Sequence, residues 1–216
     1  MATLRWNWES EVNTTIAGYQ SRGRVAALDD GGYVVVWEAE RRTETDTISR
    51  DIRARIFDSA GQPLTDEFTV ATGTDTVFHA NPDVVGRNDS GFQVVWTQNA
   101  GDLGGRSIAS AQFAPRVRDN TIVFELQRNF DVTTPLAGRQ DDTAAIARTD
   151  SGVAITWQRQ GVQGPLLLTP TSGSPVFVEQ FVASGTADFN ATPAIATQRG
   201  GAATRWWRGW TARSAR

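Results

Sequence analysis

The chain has 216 residues, a net charge of −3 and 20 glycines, and 39% of it is AVILMFWYC, so it is long and apolar enough for one domain with a real core. It holds no cysteine and one histidine, which excludes disulfides, thiolate metal centres and histidine-cluster zinc or iron sites. All 21 basic residues are arginine, the pI of about 5.2 argues against general nucleic-acid binding, and no segment reaches the roughly 18 apolar residues of a membrane span.

The opening stretch, "MATLRWNWESEVNTT", has no apolar run of the kind a classical secretion signal carries. Residues 23–37 then read as strand, turn, strand. Val25, Ala26 and Ala27 end the first strand. In the second, Tyr33, Val35 and Trp37 share one face, and Val34 and Val36 the other. A strand that is apolar on both faces has to be covered on both. After it, "DIRARIFDSAGQPLTDEFTV" predicts a strand ending at Phe57, a turn over 58–63 and a strand over 68–70.

The same pattern returns along the chain. Blocks 23–37, 82–96, 143–157 and 193–207 align without gaps, and Trp37, Trp96, Trp157 and Trp207 fall 59, 61 and 50 residues apart. Each block's first strand has a small third residue: Ala27, Gly86, Ala147 and Thr197. The second repeat adds strands at 107–113 and, after a longer loop, at 124–132. In the third, Gly173 and Pro175 match Gly61 and Pro63.

Two buried strands followed by two half-polar ones suit a radial blade, with small residues crowding the axis. The expected architecture is therefore all-β: a β-propeller-like repeat of four-stranded antiparallel blades, forming a single domain over 1–216. About four blades are expected, at 17–70, 71–133, 134–183 and 184–216, the last completed by residues 3–16 pairing with strands at 193–210. An open arc is the competing arrangement, and a β-solenoid fits less well because its coils are shorter.

The recurring turn aligns Asp30, Asp89, Asp150 and Gly200, then Gly31, Ser90, Ser151 and Gly201, then Gly32, Gly91, Gly152 and Ala202. This is hairpin chemistry, with the terminal glycine expected in the left-handed region. Calcium is the one ion that Asp29, Asp30, Asn88 and Asp89 would suit. One or two carboxylates per turn fall short of its six to eight oxygens, so no metal or cofactor site is assigned.

"TDSGVAITW" does not have sialidase Asp-box spacing, since Gly152 and Trp157 are five apart, and Tyr19 and Tyr33 both hold repeat positions. His79 shares its column with Gln20, Gln140 and Asn190, which asks for a polar side chain rather than a general base. The four tryptophans read as core plates between blades, ahead of a sugar-stacking role. Asp141-Asp142 and Asp66-Glu67 read as solvated loops, so no catalytic residue is assigned.

The tail "RWWRGWTARSAR" breaks the pattern, placing Arg205 where Val35, Val94 and Ile155 sit. Residues 199–216 hold five arginines and no acid, leaving −8 on residues 1–198. The readings open for the tail are an end cap, a truncated or frame-shifted end, or a cationic surface for a membrane or polyanion.

"GRVAALDDGGYVVVWEAE" followed by "DIRARIFDSAGQPLTDEFTV" resembles the roughly 50-residue repeats of bacterial RTX-type, calcium-binding secreted proteins and large adhesins. Their consensus is similar to P-x-[VI]-A-x-L-x-[DN]-G-G-[FY]-V-V-x-W, then R-[FY], then D-x-x-G-x-P-x-x-x-E-F-x-V. The likeness extends over 11–70, 75–132 and, loosely, 140–198. It implies a propeller-like repeat, export through a C-terminal signal of the parent protein and no defined catalysis. The glycine-rich calcium nonapeptides of such proteins are not in this sequence, so calcium is carried over to no residue.

The expected function is a non-catalytic binding or structural module of a secreted or cell-surface bacterial protein, adhesin-like or carbohydrate-binding; a cytoplasmic location is the alternative. Its expected partners are a glycan or further copies of itself, not nucleic acid. The rival functions are a scaffold subunit that self-assembles through open blade edges, and a glycan-active hydrolase or lyase.

Overall fold

The period-two segments fold as strands. The computed structural model describes residues 10–42, 44–99, 105–119, 121–133, 141–149, 152–159, 166–170 and 177–181. Among the described residues there is no helix, and the strands are β1 (Gln20–Ala27), β2 (Tyr33–Arg42), β3 (Ile48–Phe57), β4 (Phe68–Ala71), β5 (His79–Gly86), β6 (Phe92–Asn99), β7 (Arg106–Arg118), β8 (Thr121–Asp131), β9 (Asp141–Thr149), β10 (Gly152–Arg159), β11 (Leu166–Pro170) and β12 (Phe177–Phe181). They make three antiparallel four-stranded sheets, each a meander in chain order: β1–β4, β5–β8 and β9–β12. The all-β class and the division into repeats follow the sequence pattern. The expected fourth blade, residues 3–9 of the segment expected to complete it, Trp207, Arg205 and the tail lie outside the described residues; residues 10–16 form no strand and contact the first sheet through Val12, Thr14 and Thr15.

The middle sheet explains the doubly apolar strands. Phe92, Val94, Trp96, Ala109, Ala111 and Phe113 form one core with Val34, Val36, Ile52, Ala54 and Ile56 of the first sheet. On its other side, Val95 and Ile108 join Ile146, Val153, Ile155 and Trp157 of the third sheet. The second sheet is thus packed on both faces, and β6 is buried from Phe92 to Thr97. Trp37, Trp96 and Trp157 are all buried. In the first two sheets the third strands are buried too, through Ile52, Ala54, Ile56, Ile108 and Ala111, so there only the fourth strands match the half-polar outer pair expected from sequence.

Among the described residues, no second sheet packs on one side of the first sheet. Val25 is 66% exposed, whereas Val84, at the same register position in the second sheet, is 6% exposed because the first sheet covers it. Strand β1 is therefore not the doubly buried strand its sequence suggests. The Val25 face also carries Arg53 and Arg55 opposite Trp37 and Val35, where the second sheet places Ala109 and Ala111 opposite Trp96 and Val94.

The small third position of the first strands has a steric cause. Gly86 lies so close to β1 that an added Cβ would sit 2.2 Å from the Ala27 carbonyl oxygen. In the third sheet the register differs by one residue from the gapless alignment. Tyr33 pairs with Ala27 and Phe92 with Gly86, but Val153 pairs with Arg148. The third inner turn is one residue tighter, and a slip of one exchanges the faces of a strand. Ile146, rather than Ala145, therefore occupies the place of Val84, and Arg148 takes the small position.

The second outer hairpin also differs from expectation. In place of a longer loop, β7 continues to Arg118 and β8 starts at Thr121, with Val117 paired to Ile122 and Pro115 to Phe124. Phe124 packs against the core beside Phe92 at a centroid distance of 5.7 Å, while Val117 and Ile122 project into solvent.

Candidate functional site

The inner hairpins of the three sheets turn at one end of the molecule, and there the polar side chains converge. In the first turn, Asp30 accepts the Gly32 N–H at 2.9 Å, and Leu28 N–H donates to the Gly32 carbonyl at 2.8 Å. In the second, Asp89 accepts the Gly91 N–H at 3.2 Å, and Arg87 N–H donates to the Gly91 carbonyl at 2.8 Å. These carboxylates stabilise their own turns, as Asp58 does by accepting from Ala60 and Gln62.

The left-handed residue is the middle one, Gly31 at φ 87° and Ser90 at φ 60°, not the terminal glycine expected from sequence. The terminal glycine is needed for space: a Cβ on Gly91 would lie 2.1 Å from the Phe113 carbonyl oxygen. Asp150 lies outside the described residues. Among the described residues, no three His, Cys, Asp or Glu side chains are grouped to hold a metal.

One guanidinium ties the three hairpins together. Arg148, at the end of β9, donates from Nη1 to Asp29 Oδ1 at 2.5 Å, and from Nε to Asn88 Oδ1. Asn88 in turn donates to the Thr149 carbonyl at 3.4 Å. Asp29 belongs to the first turn, Asn88 to the second and Arg148 to the third. The result is a part-exposed polar surface of mixed charge, formed from Asp29, Asn88, Arg148 and the neighbouring Arg87–Asp89 ion pair. Each guanidinium nitrogen of Arg148 is bonded to Asn88 or Asp29, so the cluster ties the hairpins together. Asp29 was recognised from sequence only as a calcium donor, and Arg148 was missed because the gapless alignment puts Ala147 in its place.

Acidic groups also stitch the sheets together. Glu38, buried at the end of the apolar run of β2, accepts the Asn81 N–H at 2.6 Å and pairs with Arg22 Nε at 3.3 Å. Arg22 also donates to Asn81 Oδ1, and both residues have positive φ at matching β-bulges. Asp83 of β5 accepts the Ile146 N–H of β9 at 3.0 Å. Burial pushes its carboxyl above the usual aspartate range, opposed by the Ile146 and Val84 N–H groups and by Arg24. A charge set inside an apolar strand was the available signal for both groups.

The indole nitrogens explain the polar column. Trp37 Nε1 donates to Gln20 Oε1 at 2.9 Å, and Trp96 Nε1 donates to His79 Nδ1 at 3.0 Å. In the third sheet the backbone position matching His79 is Asp141, paired with Arg159 as His79 is with Gln98, and among the described residues the buried Trp157 Nε1 has no hydrogen-bond partner. Of the acidic pair 66–67, Asp66 is exposed in a loop as expected, but Glu67 is not solvated. The Glu67 carboxylate is buried, pairs with Arg53 at 2.9 Å and accepts the Thr14 and Thr15 N–H groups. Burial acts to raise its pKa but is outweighed by the two N–H groups, Arg53 and the Thr14 hydroxyl, so the carboxyl titrates below the ordinary glutamate value.

No protein-family model matches the chain, and no curated protein matches it.

Proposed function

We propose that the chain is a β-propeller-like module of a bacterial extracellular protein, adhesin-like or carbohydrate-binding, with a binding or structural rather than catalytic role. The observation that carries this reading is the Arg148 bridge, which brings the inner turns of the first and third sheets together across 119 residues of sequence. Inner strands that converge while consecutive sheets stack face to face are what a radial arrangement requires.

The turn carboxylates favour binding over catalysis. A glycoside hydrolase needs two carboxyl groups about 5–9.5 Å apart, one of them kept protonated. Here Asp30 and Asp89 are held by turn amides, and Asp29 by Arg148. The test is to titrate the protein against a panel of acidic and neutral oligosaccharides while monitoring cleavage products. Binding without products, lost in Arg148→Ala at unchanged melting temperature, supports the proposal; released product overturns it.

A second reading, a self-assembling scaffold, is favoured by one observation. The Val25 face of the first sheet leaves Val25 exposed where the second sheet buries Val84, so this face, which also carries Arg53 and Arg55, is available to a further sheet from another copy. Light scattering over a hundredfold concentration range checks this. Concentration-dependent mass that is lost in Val25→Glu supports assembly, and a constant monomer mass refutes it.

A further inference from the structure

His79 is the one imidazole in the chain, and its ring is buried between the first two sheets. An indole N–H can only donate, so Nδ1, 3.0 Å from Trp96 Nε1, must be the bare, accepting nitrogen. A carbonyl oxygen can only accept, so Nε2, 3.2 Å from the Thr72 oxygen, carries the proton. The neutral Nε2–H tautomer therefore satisfies both neighbours, and no other state does. A second proton, on Nδ1, would point at the indole N–H, donor against donor, in a place where water does not replace the lost bond.

The location makes that conflict consequential. Thr72 and Gly73 begin the connection from β4 to β5, the covalent link between the first and second sheets. His79 holds this connection through Thr72, and Asp51 of β3 holds it through the Gly73 N–H at 2.8 Å. The charge acting on the ring is that of Asp51, itself paired with Arg41 of β2 at 3.3 Å; Asp131 of β8 lies in the same sheet as His79. Asp131 accepts from Gln98, the residue opposite His79. At the corresponding position of the first sheet, Gln20 accepts the Trp37 indole with an amide that does not titrate.

We infer that His79 is an acid-sensitive latch, closed at neutral pH by the Trp96–His79–Thr72 chain and released in mild acid, which loosens the seam between the first two sheets. Burial works in the same direction: it depresses the His79 pKa, and the Thr72 carbonyl and Asp51 oppose it without cancelling it. The unfolded chain takes up the proton from about pH 6.5 downward, ahead of the folded one. The latch's contribution to stability is therefore complete above about pH 6.5 and is lost as pH falls through the folded-state value. The folding equilibrium shifts by at most about tenfold per pH unit for this one proton.

Because there is a single imidazole, NMR of its two ring nitrogens reports the latch directly in the unaltered protein. The expected result is a protonated Nε2 and a bare Nδ1 at pH 7.5. Titration should have its midpoint below 6.5, with the Trp96 indole proton moving in step. A protonated Nδ1 at neutral pH, a midpoint at or above 6.5, or an indole signal that ignores the titration would overturn the inference. Two variants extend the test through denaturant midpoints measured between pH 7.5 and 5. His79→Gln installs the residue that already serves Trp37 and should remove the slope between pH 6.5 and 5, whereas Gln20→His should steepen it. An unchanged slope in His79→Gln would refute the latch, and the nitrogen titration decides the matter should that variant not fold.

Discussion

Removing the same ring position from two neighbouring sheets should have unequal consequences. Phe92 and Tyr33 are repeat equivalents, and each stacks on the residue paired with it in its own third strand. Phe92 lies 4.8 Å from Phe113 with a 10° interplanar angle, and Tyr33 lies 5.0 Å from Phe57 at 8°. Phe92 is fully buried between the first and second sheets and also touches Phe124, while Tyr33 lies half-buried on the Val25 face of the first sheet. Phe92→Ala loses the transfer free energy of the ring and leaves a closed cavity, about 3–5 kcal/mol in all. Tyr33→Ala loses about half of the transfer contribution and part of a ring pair, and water enters the space, for a total of about 1–2 kcal/mol. Urea unfolding followed by tryptophan fluorescence measures both variants on one scale. Equal losses, within about 0.5 kcal/mol, would refute the reasoning, because they would mean that the Tyr33 face is covered as fully as the Phe92 face.

Other substitutions probe the turns and the inter-sheet acids. Gly91→Ala forces a Cβ against the Phe113 carbonyl oxygen and should cost about 2–4 kcal/mol, read as a lower denaturant midpoint; a loss below about 0.5 kcal/mol would contradict the close approach. Asp89→Ala removes one turn hydrogen bond and should cost about 0.5–1.5 kcal/mol, with added calcium leaving the melting temperature of the unaltered protein unchanged; a rise on adding calcium would revive the metal reading. The Glu67 carboxyl titrates below its ordinary value of about 4.3, so its contribution is present above that pH and lost as pH falls through the folded-state value. Glu67→Gln should therefore flatten the acid limb of the stability profile, and an unaltered limb would count against the Arg53–Glu67 pair. Asp83 has the opposite sign: its raised folded-state pKa means that stability present at low pH is lost as pH rises through that value. Asp83→Asn keeps an acceptor for the Ile146 N–H, so at pH 7 it should match or exceed the unaltered protein in thermal melting; a clear loss would show that the charge itself is needed.

The repeat, the strand pairs and the tryptophan plates were legible because they depend on period-two burial, which each copy writes in its own residues. The register of β9 was not. Gapless alignment is blind to a turn one residue tighter, and it therefore hid Arg148 behind Ala147 and Asp141 behind Gln140. Strand β1 reads as core in sequence, yet Val25 is exposed, because burial on that face depends on a neighbouring sheet rather than on β1. Arg53 and Arg55, standing where the second repeat has Ala109 and Ala111, were the visible sign that the first sheet faces something different. The polar column was recognised as structural, but its purpose of accepting an indole proton needed the cross-strand geometry of Gln20 with Trp37 and of His79 with Trp96.

Convergence of the inner turns of the first and third sheets is the claim on which the radial reading rests, and a cysteine-free chain allows a clean test. Asp29→Cys and Arg148→Cys are introduced together, and the dilute protein is treated with dibromobimane, which fluoresces only when both of its arms have reacted with nearby thiols. Convergence predicts a fluorescent, cross-linked monomer, with neither single variant giving the product. A double variant that stays dark while folded, or that fluoresces only as a cross-linked dimer, would contradict it.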